Sequence, residues 1–84
     1  MNVEKVFRPF ERELKAYWPL HFRQIRDLNQ WPYEEEGRLC LEFRANTLGA
    51  RLFSDWGFQG YLREYSERNG EEVVVKVVPS AGHA

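Results

Sequence analysis

Few residues in this 84-residue chain have the type and spacing for chemistry, and the clearest group is Gly57-Phe58-Gln59-Gly60. Two glycines three apart, between two helical segments, would let phosphates approach main-chain amides closely, helped by the N-terminus of the second helix. Phe and Gln stand between the glycines where a basic residue would strengthen such a site, and Asp55 adds negative charge just before it. Glu34-Glu35-Glu36 could in principle bind metal or act as acid and base. With no His or Cys beside them, they read as a solvated turn.

Enzyme chemistry finds little else to work with. His21 and His83 are the two histidines, and His21 reads as a surface or capping residue. Cys40 is the single cysteine, on the polar side of its strand with no neighbouring base, so a structural thiol is expected and an internal disulfide is excluded. No phosphate-cradling glycine loop with Lys-Ser/Thr occurs. Neither a catalytic residue, a metal, a cofactor nor a small-molecule substrate is expected.

Binding is the better reading. Arg23, Arg26, Arg44 and Arg63 could compose a basic face for nucleic acid. Trp31, Trp56 and Phe58 are the aromatics least well placed on a helical or strand core face; they read first as packing against the edges of a small core, and in the sharper reading one or two of them anchor a protein partner. Net charge is −1, with residues 1–32 holding six Lys/Arg against four Asp/Glu and residues 33–84 six against nine. A dedicated nucleic-acid binder is usually basic overall, so a protein partner or weak local nucleic-acid contact is expected. A single cysteine, the lack of a bilayer-length apolar run and a charged N-terminus suit a cytoplasmic setting without membrane attachment.

The elements that must hold these residues follow from periodicity. Val3, Val6, Phe7, Phe10, Leu14, Tyr17 and Trp18 make a helical stripe, interrupted by Pro9, so the helix either begins near Pro9 or runs through it with a kink. Pro19 ends it or opens the next helix, whose stripe is Phe22, Ile25 and Leu28, with Arg23, Arg26 and Asp27 outward and Asn29 as a stop. Gln30–Tyr33, holding Pro32, suits an edge strand, and Glu34–Gly37 a turn. Leu39, Leu41 and Phe43 alternate with Cys40, Glu42 and Arg44, the two-residue beat of a strand. Asn46 or Thr47 then caps a helix with apolar contacts at Leu48, Leu52 and Phe53. Two helices at about 47–56 and 58–68, joined near Gly57, lead to a stop at Asn69-Gly70 and a valine-rich strand, Val73–Val78, expected to be nearly buried on both faces.

The order α-α-β-β-α-α-β predicts an α+β domain over residues 1–79, with a two- or three-stranded sheet under helices, and a disordered tail at 80–84. From Leu39 to Val78 the succession strand, helix, helix, strand resembles the minimal KH unit, and a KH-type sheet would set its two strands side by side. Gly57–Gly60 falls where KH domains place their nucleic-acid loop. The wider pattern resembles the DciA family of replicative-helicase loaders. It rests on Trp18-Pro19, Pro32, Gly37, Leu39-Cys40-Leu41, Asn46-Thr47-Leu48-Gly49-Ala50-Arg51-Leu52, Leu62, Gly70 and Val73–Val78, over about residues 14–79. Leu48 stands where that family has Trp and Gly49 where it has Ala. The chain is more distantly similar to the N-terminal domain of the initiator DnaA, through Leu39, Leu41, Ala45, Thr47 and the aromatic helix that follows. These resemblances imply a KH-like adaptor that binds the replicative helicase or another replication protein and touches single-stranded DNA through arginines. Two alternatives are a KH-type RNA-binding module working through Gly57–Gly60, and a small interaction inhibitor, phage-encoded in one version.

Overall fold

The computed structural model describes residues 1–27 and 31–79; the expectations for Leu28, Asn29, Gln30, His83, the 80–84 tail and the Asp27 side chain lie outside those residues. The chain is α+β, running α1 (Val3–Tyr17), α2 (Pro19–Asp27), β1 (Tyr33–Glu35), β2 (Arg38–Arg44), α3 (Leu48–Ser54), α4 (Trp56–Asn69) and β3 (Val73–Val78).

α1 starts where the Asn2 carboxamide accepts the Lys5 amide, so the helix begins ahead of Pro9 and passes through it. Pro9 lies on the exposed side, where the backbone carbonyl it leaves without a helical donor can reach water. Phe7, Phe10 and Leu14 are buried as the stripe predicts, but Tyr17 at its end is 74% exposed. The helix stops at Trp18, and Pro19 occupies the first position of α2, where no amide is needed.

The three strands line up β1-β2-β3, with β1 antiparallel and β3 parallel to β2. β2 and β3 lie side by side over six pairs, from Leu39 opposite Val73 to Arg44 opposite Val78, the arrangement expected of the strands of a KH-type sheet. Glu34 and Glu35 belong to β1 rather than to the turn. The turn is the two-residue Glu36-Gly37, both at positive φ (53° and 77°), flanked by the pair Glu35 and Arg38. Tight hairpins need those two left-handed residues, and the twist they give matches that of the strands.

Helices cover one face of the sheet. Leu39, Leu41 and Phe43 meet α1, α3 and α4 in a single cluster with Phe10, Leu14, Phe53, Phe58, Leu62 and Tyr65. Central position explains a correction: Cys40, on the opposite face, is fully buried because β1 and β3 flank it on both sides. β3 is corrected the other way. Only Val73 of its valines is buried: Val77, on the same face, is 45% exposed because β3 lies at the sheet's edge, and Val74 and Val78, on the face away from the helices, are half-buried.

Thr47 caps α3 by accepting the Ala50 amide at 3.1 Å. Leu48 is exposed, while Phe53 stacks on Phe43 with ring centroids 4.6 Å apart. Gly49 of α3 lies against the Phe43 ring of β2. A methyl there would lie 2.6 Å from Phe43 Cδ1, so the alanine of the family pattern does not fit this chain without moving that ring.

Candidate functional site

The segment with the strongest phosphate-binding pattern folds differently from expectation. The helices break at Asp55, not near Gly57, and Gly57–Gly60 forms the opening turns of α4 instead of a loop. Neither glycine takes a positive φ, so neither supplies a conformation that other residues lack. Asp55 Oδ2 accepts the amides of Gly57 at 3.0 Å and Phe58 at 3.2 Å. The donors that a phosphate would use are therefore already met by a carboxylate, which also places a negative charge at the positive end of the helix.

Phe58 is corrected from anchor to core: it has no exposed surface. Its ring lies 4.2 Å from His21, 4.9 Å from Trp18 and 5.0 Å from Phe53, centroid to centroid. His21 is corrected with it, from surface residue to buried neighbour of these rings. Its Nε2 lies 2.9 Å from the Leu52 carbonyl. A carbonyl only accepts, so Nε2 carries the hydrogen and donates, tying the start of α2 to the end of α3. Burial pushes the imidazole below its ordinary pKa, opposed by the hydrogen bond and by Asp55.

The α1–α2 corner and the α3–α4 corner thus interlock through Trp18, His21, Phe53 and Phe58. Around this lock three large side chains are left out of the core: Tyr17, Leu20 (59% exposed) and Trp56 (87% exposed), each within two residues of a ring in the lock. Trp31, also exposed, is elsewhere, with its ring edge-on to Phe7 at 6.5 Å. Phe7 precedes Trp18 by eleven residues of chain, roughly 16 Å along a helix axis, so Trp31 and Trp56 do not form one patch.

The arginines do not compose one face either. Arg23 and Arg26 share a groove with Lys15, Leu20 and Phe22 on the α1–α2 side. There Lys15 Nζ and Arg26 Cζ approach the Phe22 ring to 5.9 and 5.7 Å. Arg63 borders a different groove between α4 and β3, and Arg44 lies at the far end of β2 beside Val78. Sequence spacing along separate elements gave no means of telling these positions apart.

Titratable groups with shifted affinities are structural ties. Arg68 donates to both Glu13 oxygens (2.7 and 2.9 Å) and to Glu64 at 2.8 Å, and Tyr61 donates to Glu13 at 3.0 Å, joining α1 to α4. Arg68 holds the Glu13 carboxyl below its usual range, and burial with the Glu13 bond pushes the Tyr61 phenol up. On the open sheet face Lys76 pairs with Glu35, and Tyr33 donates to Glu42 at 2.9 Å. Among the described residues there is no cluster of His, Cys, Asp and Glu able to hold a metal, and no helix long and apolar enough to cross a membrane. Compared with family models, curated proteins and solved structures, the chain matches none of them.

Proposed function

We propose that this chain is a non-enzymatic adaptor whose protein partner docks on Tyr17, Leu20 and Trp56. The resemblance to DciA-type loaders names the replicative helicase as the first partner to test. Arg23 and Arg26, beside Leu20, are the residues available to single-stranded DNA in this reading, through phosphate contacts that weaken with salt.

The observation that carries the proposal is Trp56. It is almost wholly exposed, yet it opens a helix whose first turn Asp55 caps and whose next ring, Phe58, is locked in the core. A tryptophan on a fixed backbone has only two side-chain torsions to order when it is buried against a partner and brings a large apolar area, which is why tryptophan is enriched among interface hot spots. RNA binding through Gly57–Gly60 is the weaker reading, because the amides of that turn are already satisfied.

A pull-down and titration against the replicative helicase test the proposal. Wild-type chain is expected to bind, and Trp56→Ala to lose about 2 kcal/mol or more of affinity while unfolding at the same denaturant concentration. Absence of binding by the wild-type chain overturns the helicase assignment, and unchanged binding by Trp56→Ala overturns the docking surface.

A further inference from the structure

α2 has two unlike sides. His21 and Ile25 face the core, while Pro19, Phe22, Arg23 and Arg26, at i, i+3, i+4 and i+7, share a second face. With Leu20 and with Lys15 of α1 this face lines an open groove of about 540 Å³. Its apolar part is Pro19, exposed Leu20 and half-buried Phe22, and no acidic residue lines it.

In a chain of net charge −1, a groove whose charged residues are all cations is a local inversion. Lys15, Arg23 and Arg26 are exposed, and none is in an ion pair with another described residue. The acids of α1 that could neutralise them are engaged elsewhere: Glu4 and Glu11 with Arg8 at 2.8 and 3.9 Å, and Glu13 with Arg68 at 2.7 Å. Two of the cations are also held in place, since Lys15 Nζ and Arg26 Cζ stand over the Phe22 ring. Pairing them with an anion therefore orders less side chain than pairing freely moving ones. The same placement disfavours a nucleobase, which would have to displace a cation to stack on the one aromatic ring of the groove.

We propose that this groove takes an acidic segment of a protein partner, with an apolar side chain seated on Leu20 and Phe22 and carboxylates on either side of it paired with Lys15 and Arg26. Guanidinium groups meet carboxylates through two parallel hydrogen bonds, so Arg23 and Arg26 add direction to the charge preference. Leu20 belongs also to the docking surface proposed above; the groove rests on that reading and adds the chemistry of the partner, which becomes an alternative to DNA at Arg23 and Arg26.

Fluorescence anisotropy with the full chain tests this. The probe is a fluorescein-labelled peptide bearing glutamates around a leucine pair, and its twin has lysine in place of each glutamate. Wild type is expected to bind the acidic peptide at least about tenfold more tightly than the twin. Lys15→Glu with Arg26→Glu should reverse the preference, which a folding defect cannot do, while Arg44→Glu, the same kind of change beside another groove, should leave it in place. Leu20→Ala should weaken the acidic peptide about fivefold even in salt that screens exposed charges. Binding of neither peptide, or of both alike, overturns the proposal, as does a preference that Arg44→Glu abolishes as fully as Lys15→Glu with Arg26→Glu does. Oligothymidylate or phosphatidylglycerol vesicles that bind more tightly than the acidic peptide overturn it too. No arm uses the helicase, so a failed helicase pull-down and a failed peptide titration are read separately.

Discussion

At the meeting of the two helix corners the polar groups are matched: Asp55 takes the amides of Gly57 and Phe58, His21 donates to Leu52, and Gln59 donates to the Phe53 carbonyl at 2.6 Å. Along β3 the opposite holds, with the main chain of Val75 and Val77 directed away from β2, the one strand that pairs with it among the described residues. A partner at the corner must therefore be recognised by side chains, Trp56 foremost, and one at the edge by backbone. The first kind of surface discriminates among partners, and the second accepts extended strands with little regard to sequence.

The comparison breaks most readily at the corner's core. Phe58→Ala is expected to cost about 3–5 kcal/mol, read by urea denaturation, because it empties a site shared by Trp18, His21 and Phe53. A loss below about 1 kcal/mol would mean the rings are not interlocked. Gly49→Ala should follow at about 1–3 kcal/mol, since the new methyl meets a Phe43 ring held by Phe53. Asp55→Ala should cost about 1 kcal/mol through loss of the helix cap, with Asp55→Asn restoring most of it.

His21 supplies a pH test of the same corner. Its folded pKa lies below the unfolded value near 6.5, so the unfolded chain takes up the proton first. Its contribution to stability is complete above that value and declines as pH falls through and below it. Denaturation midpoints at pH 8 and pH 5 should differ in that direction, and His21→Gln should flatten the difference. Smallest of all, Trp56→Ala should change stability by no more than about 0.5 kcal/mol, an exposed site where only binding is affected.

Sequence and structure agree where the controlling forces are local. The alternation over Leu39–Phe43 marks β2, the Thr47 cap starts α3, and Gly70 at φ 68° stops α4 as the Asn69-Gly70 pair requires. They part at Gly57–Gly60. Two glycines suggest a loop, but the Asp55 cap and the burial of Phe58 draw the segment into α4, since tertiary packing outweighs the cost of glycine in a helix of about 1 kcal/mol each. Periodicity counted Tyr17 as core because the helix rule does not know where the helix loses its neighbours. It left Cys40 on a polar face because alternation describes one strand and not the two that flank it.

Local spacing in the chain was enough to specify the element types and the α+β class, since each depends on residues a few positions apart, whereas the pairing of Leu39 with Val73 across a two-helix excursion was expected only through the KH resemblance. Which aromatic is mounted outside and which is locked inside, whether the arginines converge, and which strand keeps an unpaired edge were decided only by long-range assembly. Trp56 and Phe58 are two residues apart on one helix, and only the approach of Trp18 and His21 from the other corner buries one and leaves the other to solvent.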